Sequence, residues 1–212
     1  MVASNPGVTG LEAWWELNEA TGVRYDAHGS NDLADNNSVG ASTDSIQGNS
    51  AYFQSANSEF LSIADNASLS FGNEGFTLAT WANAITLATS AIVAKDLASN
   101  REYALFYIRT PTFRFQLMSS HDGSTAVSVN ADTFGAPSTD VWYFIAIQHD
   151  PTADTLGISV NNGAFDTGAQ SGGMYDGTAA FYIGGREWSG SLIPWDGLID
   201  ETCVYRRVLA SG

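Results

Sequence analysis

Apolar residues come in short runs along the chain, often alternating with polar ones, and clusters of Gly, Asn, Asp and Ser interrupt them. Helical periodicity is almost absent, so the pattern predicts antiparallel strands joined by turns. Residues 11–17 read as a first strand around Trp14 and Trp15. Residues 18–49 are polar and turn-rich, and so long a segment inside a domain is expected to be functional or metal-tied. Residues 51–53 and 60–63 read as a strand pair, and 65–69 as a turn with one helical turn. The stretch 76–82 is apolar on both faces, which assigns it to the middle of a sheet. Residues 91–95, 103–109, 113–118 and 126–130 continue as a meander. The most apolar run, 141–147, is expected in the core. Asn161-Asn162-Gly163, after a strand over 155–160, is a hairpin signal because these residues supply positive φ. A short strand over 180–183 then leads through Gly184-Gly185 to a closing strand over 196–206.

The closing strand carries an acidic pair, Asp200-Glu201, among apolar neighbours. Alternation places Leu198, Asp200, Thr202 and Val204 on one face, and Ile199, Glu201, Cys203 and Tyr205 on the other. A carboxylate buried there needs a cation or a set of backbone N–H donors.

Composition narrows the choice. A chain of 212 residues with 44% hydrophobic and 12% aromatic residues can build one large all-β domain over 1–212, with its core over about 11–209. The net charge of −15 argues against nucleic acid, which needs a basic footprint, and against anionic membranes. It suits a cation, calcium above all, or acidity that serves solubility alone. The single Cys203 excludes an intramolecular disulfide and is expected as a buried thiol. No apolar run reaches ~18 residues, so no membrane insertion is expected. The N-terminus lacks the basic and apolar regions of a signal peptide.

The pieces LEAWWELNEATGVRYDAHGSND, GNSAYFQSANSEFLSIADNASLSF, GFTLATWANA, VWYFIAIQHD, TLGISVNNG, FYIGG and WDGLIDETCVYRRVL follow one another from Leu11 to Leu209. In that order they resemble the laminin-G-like domains of the concanavalin-A-like lectin/glucanase superfamily. The resemblance implies an all-β, concanavalin-A-like jelly-roll sandwich of two antiparallel sheets. It also implies a structural Ca²⁺, with Asp200 as the last-strand acid and Gly48 as the carbonyl donor. The family's Asp-rich turn falls on Asp26, with Asp32 and Asn31 behind it. The alternative is that Asp26 and Asp32 cap Asx-turns and that Asp200 accepts from loop amides.

Catalysis is not expected. Laminarinase-type relatives use a Glu-x-Asp-x-(x)-Glu set on one strand; Glu16-Leu17-Asn18-Glu19 lacks its middle carboxylate, and Asp196 and Asp200 lie in the closing strand. No Gly-x-Ser-x-Gly elbow is present. His28, His121 and His149 lack zinc spacing and are expected as surface or turn residues. Ligand binding is expected in loops, the richest being 185–195, with Trp188, Arg186 and Glu187 and with Tyr175 adjacent. Against this, Trp188 and Trp195 can plug the open end of the sandwich. The reading is therefore a non-catalytic module that recognises glycan or a surface protein. It is expected to be part of a larger protein or particle, extracellular or on a virion. The competing reading is a structural or assembly domain: a phage decoration or fibre domain, or an adhesin spacer.

Overall fold

The computed structural model describes residues 7–109 and 112–210. Within them, short apolar runs form β1 (Leu11–Trp15), β4 (Ser50–Phe53) and β5 (Phe60–Ile63), and the polar segment 18–49 supplies two short strands, β2 (Ala34–Asn36) and β3 (Gly40–Ser42). The middle of the chain supplies β6 (Phe76–Ala84), β7 (Ser90–Leu97), β8 (Asn100–Arg109), β9 (Phe113–Ser120) and β10 (Ala126–Asn130). Then come β11 (Trp142–Asp150), β12 (Thr155–Val160), β13 (Asp166–Ala169) and β14 (Phe181–Ile183). The chain closes with β15 (Glu187–Trp188), β16 (Ser191–Leu192) and β17 (Gly197–Tyr205).

Two antiparallel sheets result. One runs β13-β12-β11-β6-β17-β4-β3, with β1 also paired to β17, and has eight strands. The other runs β10-β9-β8-β7-β14-β5-β2 and has seven. Between them lies a core that includes Trp15, Phe53, Phe76, Tyr103, Phe115 and Phe181. Trp15 stacks on Phe181 with ring centroids 5.1 Å apart. The expected jelly-roll sandwich is present, with β6 central and β7 to β10 as a meander. Asn66 caps the expected helical turn by accepting from Ser68 N. Asn161 and Asn162 both adopt positive φ, and the chain turns there from β12 into β13.

Two expectations are corrected and one is narrowed. The segments 51–53 and 60–63 do not pair, because β4 joins β17 and β3 while β5 joins β14 and β2 in the opposite sheet. β11 does lie in the core as expected, but through one face: Tyr143, Ile145 and Ile147 are buried, while Trp142, Phe144 and Ala146 point outward and are half-buried. Simple alternation fails in β17. There the register shifts between Asp200, opposite Trp81, and Cys203, opposite Ala79, and Glu201 takes φ +50°. This bulge brings both Ile199 and Val204 into the core, five residues apart. Cys203 and Tyr205 face outward with Leu11.

His149 is also not a turn residue. It is fully buried, with Nδ1 3.0 Å from the Glu74 carbonyl oxygen. His28 and His121 are exposed. Cys203 is a free buried thiol, and burial holds it well above the ordinary thiol range.

Candidate functional site

Directly opposed residues of an antiparallel pair share a face, which defines the outer surface of the seven-stranded sheet. Ala94, Ala104 and Met118 align across β7, β8 and β9, and Phe106 opposes Gln116. Ala91, Ala94, Ala104 and Phe106 form a small apolar floor there. Gln116 donates from Nε2 to Asn130 Oδ1 at 2.8 Å, so an amide pair borders it.

The β15–β16 hairpin covers part of this floor. Its turn, Ser189-Gly190, has φ of +51° and +80°, the sign pattern of a two-residue hairpin turn. The hairpin springs from Gly184, where φ is +78° and a Cβ would lie 2.2 Å from the Phe53 ring. Trp195 N donates to Gly184 O at 2.9 Å and Ile193 N to Arg186 O at 2.8 Å, closing the base of the loop. Trp195 itself is buried against Tyr107, as a plug.

Arg186 pins the hairpin down. Its Nη2 lies 3.0 Å from Asp96 Oδ2, and its guanidinium sits 5.0 Å from the Phe106 ring centre. Arg101 Nε reaches the same carboxylate at 3.2 Å. The two guanidiniums stand over Trp188, at 3.9 Å for Arg186 and 4.9 Å for Arg101. Asp96 is fully buried; burial raises its carboxyl above the usual range, and both arginines counter that. Burial lowers Arg186 to about 10, with Asp96 opposing and Arg101 adding to the drop. Two cations on one carboxylate leave this cluster with a net positive charge in an acidic protein.

Glu187 is exposed and accepts from the Tyr182 hydroxyl at 3.4 Å, and Tyr182 packs against Phe60. Tyr175 is half-buried, its ring resting on Gly123 and Gly177, where a Cβ would come within 2.9 Å and 2.8 Å. Arg101 N donates to Gly123 O at 3.0 Å. Arg101, near the start of β8, thus links Tyr175 to the Trp188 cluster. Gln116 was silent in the sequence, because it reads as an ordinary strand position; Asp96 and Arg101 fall in the connection between the strands read over 91–95 and 103–109, which does not show that they meet.

The expected metal residues fall into two networks. Asp26 Oδ1 accepts from Trp14 N and His28 N, each at 3.0 Å, and Oδ2 from Asn31 N at 3.0 Å. Burial raises its carboxyl, but the amides of Gly29, Trp14, Asn31 and His28 outweigh this and lower it. Asp32 Oδ1 accepts from Asp26 N at 2.9 Å, and Asn31 Oδ1 from Asn66 Nδ2 and Ser68 Oγ. These three residues hold the turn, with both oxygens of Asp26, Asn31 Oδ1 and Asp32 Oδ1 already occupied by donors.

Asp200 and Gly48 belong to the second network. Asp200 Oδ2 accepts from Ile46 N at 2.7 Å and Gln47 N at 3.1 Å. Gly48 takes φ +66°, its carbonyl accepts from Ser45 Oγ, and a Cβ there would collide with Asn18 Oδ1 at 2.0 Å. The cause of this arrangement is the β17 bulge. β4 pairs with residues 197–199 of β17 and β1 with 202–205, so the acidic pair sits where the two neighbours part. Asp200 opposes the outward Trp81, and Glu201 Oε2 accepts from the outward Trp14 Nε1 at 2.8 Å. Both acids therefore face outward, which corrects the expectation of opposite faces. Asp200 Oδ1 and Glu201 Oε1 are buried with no donor. Burial first, and then the Glu201 charge, push Asp200 up to about 7 against the amides of Gln47, Ile46 and Glu201.

A laminin G family model, described as the concanavalin A-like lectin/glucanases superfamily, matches residues 47–211. The chain belongs to this family. No curated protein sequence matches this laminin-G-like chain. Among solved structures, it is similar to the binding domain of Paraclostridial Mosquitocidal Protein 1 (TM-score 0.74, 12% identity). That match covers 95% of this chain and 50% of the other, so this laminin-G-like domain spans half its length. It is also similar to domain 4 of AbnA, an extracellular arabinanase from Geobacillus stearothermophilus, in complex with arabinotriose. There the TM-score is 0.59 at 16% identity, covering 95% and 94% of the two chains. A sialidase from Trypanosoma rangeli, in complex with the inhibitor DANA, matches with TM-score 0.69 and 17% identity, over 99% of this chain and 32% of its own. At these identities the likenesses show the fold.

Proposed function

We propose that this domain is a non-catalytic carbohydrate-recognition module that binds glycan on the outer face of the seven-stranded sheet, beside the β15–β16 hairpin. The observation that carries this reading is the cationic, aromatic cluster of Arg101, Arg186 and Trp188 over an alanine floor. It offers a stacking surface, guanidinium donors and a bordering amide pair, which is the chemistry that holds sugars. The likeness to an arabinanase domain in complex with arabinotriose supports it. Asp96 is bridged by two guanidiniums, which leaves it unsuited to act as a nucleophile or acid. Such a module fits an extracellular or virion surface, as part of a larger protein.

The proposal extends to a structural Ca²⁺ held by Asp200 and Glu201. Their unpartnered buried oxygens suit a hard cation, which would supply the missing positive charge. The Asp26 cluster, already filled with N–H donors, does not.

A glycan array tests the main reading. Trp188→Ala is expected to lose retention while the protein stays folded; full retention would contradict it. An assembly role is the second reading, favoured by the half-buried aromatics Trp14, Trp81, Trp142 and Phe144 on the other sheet's outer face.

A further inference from the structure

The outer face of the eight-stranded sheet has a pocket of its own. A cavity of about 230 Å³ opens where β3, β4, β6 and β17 meet, lined by Asp44, Tyr52, Asn83, Ile85, Asp140 and Leu198. Leu198 opposes both Asn83 and Tyr52 across the strands, so these side chains share the outward face.

Asn83 is the telling residue. It is only 4% exposed, its Oδ1 is buried with no donor, and its side chain makes no hydrogen bond among the described residues. A buried amide left unpaired in a native protein calls for a missing partner. Two carboxylates stand beside it. Trp142 Nε1 donates to Asp44 Oδ1 at 2.8 Å, which orients that carboxylate and leaves its other oxygen open. Asp140 is anchored by its backbone, N to Ala84 O at 2.8 Å, and its carboxylate makes no hydrogen bond among the described residues. Neither aspartate is in an ion pair among the described residues.

Size and lining decide the kind of ligand. A bare metal ion needs no cavity of this volume and no wall of Tyr52, Leu198 and the 40% exposed Ile85. Asp44 and Asp140 are both exposed carboxylates on one rim, and their combined field favours a cation over a neutral molecule. A primary ammonium has three N–H donors and no acceptor, which matches three acceptors: the Asp44 and Asp140 carboxylates and Asn83 Oδ1. An aromatic and two aliphatic side chains then suit the body that carries it. We propose that this pocket binds a small organic cation, a primary ammonium carried on a ring, of the amino-sugar class. The site is separate from the hairpin-covered face and does not rest on its reading.

Calorimetric titration with glucosamine, and with glucose as its uncharged twin, tests this. Glucosamine is expected to bind saturably, with glucose at least tenfold weaker. Asp44→Asn combined with Asp140→Asn keeps the side-chain size yet removes both charges and one acceptor oxygen from each, and should weaken glucosamine at least tenfold. Asp140→Asn alone, whose side chain holds nothing else in place, covers the case in which the double variant fails to fold. Asp154→Asn, the same charge change on an exposed turn, should leave binding as it was. Equal binding of the two sugars, retained binding in the charge-free variants, absence of saturable glucosamine binding, or its stoichiometric displacement by calcium would each overturn the proposal.

Discussion

Lys95 has no exposed side-chain surface, and its ammonium donates to Asp65 Oδ1 at 2.7 Å, to the Glu102 carboxylate and to Ala179 O at 2.9 Å. Burial raises Glu102 to about 7 even with Lys95, and more weakly the Ser70 hydroxyl and the Gly177 amide, lowering it. Removing the cation would leave a buried acid unpaired. Lys95→Met is expected to cost ~3–5 kcal/mol in urea denaturation; a loss below about 1 kcal/mol would mean that the carboxyl simply takes up a proton. None of this was legible in the sequence. Lys95 and Glu102 read as the two ends of a connection between strands over 91–95 and 103–109, and the register shift between Lys95 and Asp96 that arranges them leaves no mark in composition. The same shift precedes Asp96, the anchor of both arginines. The sequence points to Trp188 and Arg186 more readily, because an aromatic and a cation in a Ser/Gly loop stand out.

Among the elements, the longer strands were legible in order, because they announce themselves by short apolar runs and the turns by Gly, Asn and Asp; the short polar strands β2, β3, β13, β15 and β16 were not. Nor was partner choice. The segment 50–53 has the same pattern whether it pairs with 60–63 or with β17, and only the path through the Ser55–Asn57 turn carries the chain to the other sheet. The β17 bulge was hidden for a related reason: an inserted residue shifts parity without changing local hydrophobicity. The hairpin offers an element-scale test at Gly184. Alanine there meets the Phe53 ring at 2.2 Å and must hold φ +78°, so Gly184→Ala should cost ~1–3 kcal/mol. Its thermal midpoint should drop, and relief by a second change, Phe53→Leu, would tie the loss to that collision. An unchanged midpoint would show that the loop can rise without cost.

For the molecule as a whole, acidity and buried carboxyls set the response to pH. Asp200 is raised to about 7 in the folded protein, so the fold binds its proton more tightly than the unfolded chain does. That contribution is complete below the ordinary carboxylate range and is lost as the pH rises towards about 7. Glu102 acts in the same direction. Asp26, which is lowered, acts the other way and loses its contribution only as the pH falls through the carboxylate range and below. In the presence of chelator, stability is expected to decline between pH 5 and pH 8 by on the order of 2 kcal/mol. Calcium at pH 8 should restore it by binding the folded form alone. A flat profile, or no calcium effect, would argue against a cation at Asp200 and Glu201. The most direct test of the recognition role is to map backbone and indole amide shifts while titrating arabinotriose and a panel of glycans. The account expects perturbations centred on Arg101, Gln116, Tyr182, Arg186 and Trp188; shifts confined to Trp81 and Phe144, or none with any glycan, would contradict it.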